Sequence, residues 1–101
     1  MTLRITRRRG SRSRPTLTLE GRVVAEWAAL LERECSELLR SRREVVLELA
    51  AVTFVDRAGV RTLGRLSRAG VEIRCRPGAV ASVLEGEGIR VTHDQIGDGR
   101  P

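Results

Sequence analysis

Few side chains of this chain have the types and spacing that enzyme chemistry requires. His93 is the only histidine, tyrosine is absent, and Cys35 and Cys75 are not spaced as metal ligands. The sequence also has no glycine-rich phosphate loop of the usual spacing and no Ser or Cys paired with a histidine. Because groups for general acid–base catalysis are so few, we expect a protein that is not an enzyme and that uses no metal and no cofactor. We expect both cysteines to be small buried hydrophobes.

The segment that carries most information about binding begins with an apolar run at 45–55. This run leads into four residues that open a helix, Asp56-Arg57-Ala58-Gly59. Asp56 is predicted to be the N-cap of this helix, because its carboxylate can accept hydrogen bonds from the free N–H groups of the first turn. A helix start at the carboxyl end of a strand is where open α/β sheets place their functional surface. An anion is favoured there beside Arg57 and Arg61, although both arginines also fit an interpretation as solvated surface charges.

The first half of the chain predicts two strands, a helix and a third strand. Alternation of polar and apolar residues predicts strands at 2–7 and 16–20, with a hairpin loop at 8–15 and Gly21 ending the second strand. Apolar residues at steps of three and four predict an amphipathic helix over 24–39. A nearly continuous apolar run predicts a central strand over 45–49.

The second half of the chain predicts two more helices and one or two strands. The helix that opens at Asp56 is expected to end near Ala69, where Gly70 can take a left-handed conformation. A strand follows at 71–75, and Pro77 fits the first turn of a third helix. We expect its buried side to comprise Ala79, Val80, Val83 and Leu84, and a last short strand to include Ile89 and Val91.

The predicted order is β-β-α-β-α-β-α, with room for a last short β. Alternating strands and helices after an opening hairpin predict an α/β sheet that is parallel apart from its N-terminal hairpin. We expect a single domain over residues 1–93 and a disordered tail over 94–101, since that stretch carries Gly97, Gly99 and Pro101.

Two stretches resemble the STAS domain, the fold of bacterial anti-sigma factor antagonists. One is the run Leu47-Glu48-Leu49 and Val52-Thr53-Phe54-Val55 before Asp56; the other is the turn Leu19-Glu20-Gly21-Arg22-Val23-Val24. The resemblance extends from about Leu3 to Leu84 and implies an STAS-like sheet with helices packed on it. The family usually ends with one more helix, for which this chain looks too short.

The resemblance implies a non-enzymatic switch that binds an anti-sigma factor, a regulator with a kinase-like ATP-binding fold. The family loop is commonly Asp-Ser-Ser-Gly or Asp-Ser-Thr-Gly, and phosphorylation of the first serine breaks the contact through its negative charge. Arg57 stands at the phosphoacceptor position and Ala58 at the second hydroxyl position, so we expect no phosphorylation there. The implied partner-binding residues are Asp56, Arg57, Ala58, Gly59, Arg61, Gly21, Arg22 and Val24.

Two further functions stay open on the sequence. One is an STAS-like module for small-ligand binding, of a nucleotide or a lipid phosphate, or a transport accessory, which would hold an anion at the helix start. The other uses the basic N-terminus, which holds Arg4, Arg7, Arg8, Arg9, Arg12 and Arg14, whereas the remaining arginines and acids balance within a net charge of +6. Six guanidiniums can contact phosphates, but no aromatic residues are interleaved for stacking, so we do not expect nucleic acid to bind.

The sequence also predicts a location. No apolar run approaches the length that crosses a bilayer, and the arginine-rich N-terminus lacks the apolar stretch of a signal peptide. We therefore expect a bacterial cytoplasmic protein without a membrane span. The sequence leaves a homodimer open.

Overall fold

The computed structural model describes residues 3–9, 15–41 and 44–93. Its elements are β1 Leu3–Arg9, β2 Pro15–Val23, α1 Ala25–Ser41, β3 Val45–Val55, α2 Arg57–Arg68, β4 Val71–Cys75, α3 Ala79–Gly86 and β5 Thr92–His93. This is the predicted α/β order with the last short strand included. The predicted hairpin loop at 8–15 is too long, because β1 continues to Arg9 and pairs there with Pro15, where β2 begins. The tip of that loop and the predicted tail at 94–101 lie outside the described residues.

The five strands form one sheet in the order β1-β2-β3-β4-β5. β1 is antiparallel to β2, and every other neighbouring pair is parallel, which confirms the predicted sheet. Because the parallel strands advance in one direction, right-handed crossovers place all three helices on the same face. Leu31 of α1, Leu63 of α2 and Leu84 of α3 accordingly share a single buried cluster with Leu47 and Ile73 of the sheet.

The opposite face of the sheet carries polar side chains at the alternate positions. Arg74 of β4 donates from Nε to Glu72 at 3.0 Å and lies 3.9 Å from Glu48 of β3. Glu48 is paired in register with Thr18 of β2. Side chains that alternate in this way give β2 and β4 one buried face and one polar face.

Two predicted boundaries around β2 and β3 are wrong. β2 does not end at Gly21 but continues to Val23, with a shift of register against β3 between Gly21 and Arg22. The positive φ of Gly21, 106°, is a conformation that glycine adopts readily, and here it produces an irregularity inside the strand. β3 extends beyond 49 to Val55, so two long paired strands carry the chain to the starts of α1 and α2.

The last part of the chain also departs from the prediction. Pro77 lies in a turn before α3, whose N-cap is Gly78. The predicted buried side is right in part: Leu84 is buried and Val80 packs against the core, whereas Ala79 and Val83 are exposed and Ala81 is buried instead. β5 begins after Val91, because Ile89 is buried in the core cluster rather than paired in the sheet.

Cys35 and Cys75 are free and buried, as the sequence predicts. Burial raises the pKa of the Cys35 thiol to about 12, and the nearby carboxylates of Glu34 and Glu32 add to this effect. Burial also raises the pKa of Cys75, with a further contribution from Glu85. Both groups are therefore held as neutral thiols in the native state.

Neither thiol is expected to react with a disulfide reagent such as Ellman's reagent while the protein is folded. At pH 8 a pKa near 12 leaves about one Cys35 in ten thousand as thiolate, which is the reactive form. Reaction in buffer should therefore be slow, and reaction in concentrated urea should consume two thiols at once. Rapid native modification of Cys35 would show that its environment differs from the one described.

Candidate functional site

A single carboxylate caps two helices at the carboxyl ends of β2 and β3. Asp56 Oδ1 accepts the N–H of Gly59 at 2.7 Å, and its Oδ2 accepts the N–H of Ala25 at 3.0 Å. The sequence predicts the cap on α2, and the structure adds the cap on α1. Because both carboxylate oxygens are engaged by backbone donors, Asp56 fixes the start of α1 relative to the start of α2.

Backbone hydrogen bonds join the same two segments. The N–H of Asp56 donates to the carbonyl of Val23 at 3.1 Å, and the next carbonyl, that of Val24, begins α1 by accepting from the N–H groups of Trp27 and Ala28. The Thr53 hydroxyl donates to the carbonyl of Gly21 at 3.2 Å. The structure thus places the backbone of the predicted Gly21–Val24 segment beside the predicted loop at Asp56.

Gly59 is buried in the first turn of α2, and tight packing accounts for the residue type. A Cβ atom at this position would lie 2.3 Å from the carbonyl oxygen of Val23 and 2.9 Å from Val55 Cγ1. α2 can therefore approach the end of β2 only where the side chain is absent. The groups of the loop that project to solvent are those of the two preceding residues: Arg57 is exposed and Ala58 is half-buried.

A groove of about 260 Å³ lies between the N-terminal halves of α1 and α2. Its walls are mostly small residues from both helices, and its lining consists of Ala25, Ala28, Ala29, Glu32, Ala58, Arg61, Thr62 and Arg65. Arg65 binds Glu32 through two hydrogen bonds, Nε to Oε2 at 2.9 Å and Nη2 to Oε1 at 2.8 Å. This bidentate pair lowers the pKa of the Glu32 carboxyl. The groove begins close to Asp56, since Ala25 and Ala58 line it, and Arg61 is also part of its lining.

Arg22 lies on the other side of the sheet from this groove. Its neighbour Val23 is buried in the cluster beneath the helices, so Arg22 projects from the opposite face. Its guanidinium lies 4.8 Å from the centroid of the Phe54 ring, a cation–π contact on a ring that is 43% exposed. Sequence reasoning names Arg22 but not Phe54, because the exposure of Phe54 follows from the irregular pairing of β2 with β3.

The outer surface of α2 is strongly basic. The helix carries Arg57, Arg61, Arg65 and Arg68 and has no acidic residue. These positions are three or four apart, so the four side chains follow one another along a single side of the helix. Arg65 is the member with a paired carboxylate, and Arg57, Arg61 and Arg68 have no ion-pair partner within the described ranges.

The predicted basic hairpin is described in part. Arg7 donates to Glu34 of α1 at 3.2 Å, so one arginine of the hairpin is engaged in an ion pair on the protein surface. The side chains of Arg8, Arg9, Arg12 and Arg14 lie outside what the structure describes. Across the described residues, no group of three or more His, Cys, Asp or Glu side chains is placed to hold a metal ion.

A family model described as "Mlab, STAS domain" matches residues 6–89. Among solved structures, an anti-sigma factor antagonist from Mycobacterium paratuberculosis superposes with a TM-score of 0.77 at 15% identity, covering 90% of this chain and 86% of that one. The anti-sigma factor antagonist SpoIIAA in its unphosphorylated form gives a TM-score of 0.65 at 14% identity, covering 96% and 90%. At these identities the two likenesses establish the fold.

The same fold also matches part of a larger protein. The structure of Mglu gives a TM-score of 0.53 at 25% identity, and the match covers 95% of this chain but 19% of that one. The comparison with curated proteins found no match. In the part of the chain that the structure describes, no helix has both the length and the apolar character needed to span a bilayer.

Proposed function

The chain belongs to the STAS domain family, and from this premise we propose that it is a non-enzymatic regulatory module of the anti-sigma factor antagonist type. Its partner is an anti-sigma factor, a regulator with a kinase-like ATP-binding fold, in the bacterial cytoplasm. Binding of the antagonist to this partner releases the sigma factor for transcription. The contact surface comprises the exposed groups at the start of α2 and the groove between α1 and α2.

The observation that carries this proposal is that the residues of the loop at 56–59 have different roles, some structural and one exposed for contact. Asp56 is engaged in capping both helices, and Gly59 is buried against Val23. Arg57 is left exposed at the position that the family resemblance assigns to the phosphoacceptor serine. The two residues that hold the loop in place, Asp56 and Gly59, are therefore present. The serine hydroxyl that phosphorylation would modify is replaced by the permanent positive charge of Arg57. We infer that the contact is not controlled by phosphorylation of this loop.

The chemistry of the surface specifies the kind of partner face it fits. Arg57 and Arg61 present two guanidiniums beside a groove walled by alanines, which can admit a side chain of the partner. Guanidiniums favour carboxylates, with which they form bidentate hydrogen bonds. The partner face is therefore acidic around a projecting side chain, and association is expected to weaken as salt is added.

Reversing the charge of Arg57 tests the proposed contact. Arg57→Glu is expected to weaken binding to the purified anti-sigma factor at least about tenfold, because like charges then face each other across the interface. Arg40→Glu is the matched control: it makes the same charge change in the last turn of α1, at the end of that helix that does not line the groove. Titration calorimetry measures both variants. Equal affinities for wild type and Arg57→Glu would remove this loop from the interface.

Restoring the serine tests the regulatory part of the proposal. With ATP and a partner that is an active kinase, the wild-type loop is expected to acquire no phosphate, whereas Arg57→Ser is expected to be phosphorylated and then released. Peptide mass spectrometry locates the modification, and gel filtration follows the complex. Arg57→Ala, which also lacks the arginine but has no hydroxyl, serves as the control. Phosphate on residues 56–59 of the wild type would contradict the proposed loss of control.

A further inference from the structure

A second concavity lies farther along α2, on the side that faces the connection between α3 and β5. It has a volume of about 380 Å³ and is lined by Val60, Arg61, Gly64, Arg65, Arg68, Glu87 and Ile89; we call it the α2 hollow. It shares Arg61 and Arg65 with the groove but is otherwise a separate surface. We propose that the α2 hollow binds a phosphate monoester, with the phosphate held by Arg61 and Arg68.

The charges around the hollow favour a dianion. Arg65 is neutralised by its bidentate contact with Glu32. Arg61 and Arg68 have no carboxylate partner among the residues described, and Glu87 is the one acidic group in the lining. A phosphate monoester supplies up to two negative charges and three acceptor oxygens, enough for both guanidiniums, whereas a single carboxylate supplies one charge.

The floor of the hollow is kept low by a glycine that packing does not require. Gly64 lies in the middle of α2, where glycine lowers helix stability relative to alanine. A Cβ built there would lie 3.6 Å from Arg68 Nη1 and 3.6 Å from Ile89 Cδ1, which are ordinary van der Waals distances. Alanine would therefore fit, in contrast to Gly59 on the same helix. Glycine at this position leaves room for a single methyl group against Arg68 and Ile89, and a larger side chain would displace both of them.

The dimensions of the hollow suit a small phosphorylated molecule. Its volume is at the lower end of the range of about 300–1,000 Å³ that is usual for small-molecule sites. Val60 and Ile89 supply apolar surface for the body of the ligand, and the basic side chains stand beside them. The phosphate is carried by a free metabolite or by the headgroup of a lipid such as phosphatidic acid, since both present the same group.

Titration with adenosine monophosphate and with adenosine tests the site directly. We expect adenosine monophosphate to shift the backbone amide resonances of Gly64 and Ile89 in a saturable way, and adenosine, which lacks the phosphate, to leave them unchanged. Nuclear magnetic resonance locates the response as well as its affinity. The proposal is overturned if neither this probe nor phosphatidic acid vesicles bind, or if the saturable shifts fall at residues 56–59.

Three variants separate a shaped site from simple attraction between charges. Arg68→Ala removes one guanidinium that the groove does not use, and we expect at least about tenfold weaker binding. Gly64→Leu keeps every charge but fills the floor, and a comparable loss is expected. Arg57→Ala lowers the charge of α2 by the same amount as Arg68→Ala but lies outside the hollow, so affinity should be unchanged. Wild-type affinity in Gly64→Leu would show that charge alone attracts the probe.

Vesicles distinguish the two sources of the phosphate. Cosedimentation with phosphatidic acid in phosphatidylcholine, but not with phosphatidylcholine alone, would identify a lipid headgroup, provided that Gly64→Leu abolishes it. Binding of adenosine monophosphate without cosedimentation would identify a free metabolite. Because the readout is a small probe and not the anti-sigma factor, failure here leaves the proposed partner contact untouched, and failure of that contact leaves this site untouched.

Discussion

Alanine in place of Gly59 is expected to lower the free energy of unfolding by about 3 kcal/mol, the upper part of the range for overpacking a tight interior. The new methyl group would collide with a backbone carbonyl, that of Val23, at 2.3 Å. That carbonyl also accepts the N–H of Asp56, so it cannot turn away without breaking the join between β2 and β3. The first turn of α2 must move instead. Urea denaturation followed by circular dichroism measures the change.

Gly64→Ala is the matched control on the same helix. Its Cβ meets atoms no closer than 3.6 Å, and replacing a helical glycine by alanine is expected to raise stability by about 0.5–1 kcal/mol. The two identical substitutions should therefore have opposite signs. If Gly64→Ala destabilises as much as Gly59→Ala, helix propensity and packing as described here do not account for either glycine.

The order of elements follows from periodicity, which is a local property of the chain. Alternation in 71–75 predicts β4 with its observed bounds, and Gly70 ends α2 with φ of 108°. The predicted boundaries of the elements are wrong where one residue type is compatible with two local structures. Gly21 suits both the end of a strand and an irregularity within it, and Pro77 suits both the first turn of a helix and the turn before it. The choice between these uses depends on contacts with distant segments.

The candidate surface is predictable in position but not in the role of each residue. The type of Asp56 predicts a cap on its own helix, whereas its second bond, to Ala25, joins residues 31 positions apart. Gly59 looks like part of a binding motif in the sequence, and only the distance to Val23 shows that packing requires it. The sequence alone is enough to mark Gly64 as unusual, because a glycine in the middle of an otherwise regular helical pattern lacks a local explanation.

Removing the carboxylate of Asp56 is expected to have a comparably large effect, since two helices lose a cap. One N-cap contributes about 0.5–2 kcal/mol, so Asp56→Ala should lower the free energy of unfolding by about 1–4 kcal/mol if the two caps add. Asp56→Asn retains one carbonyl oxygen and should lose about half as much. Amide hydrogen exchange assigns the loss: protection of the Ala25 and Gly59 N–H groups should fall together in the alanine variant. Unchanged protection at Ala25 would contradict the double cap.

Asp56→Asn and Arg57→Glu together distinguish a residue that positions the proposed partner surface from one that contacts the partner. Asp56 has both oxygens on backbone donors, so its loss acts on the partner through displacement of α1 and α2. Arg57 is exposed, so Arg57→Glu should reduce affinity while leaving the unfolding transition close to that of wild type. Asp56→Asn should reduce stability as well as affinity, and low temperature should restore part of its affinity as the helix starts become ordered again. An Asp56→Asn protein with wild-type stability and weak binding would instead make Asp56 a direct contact.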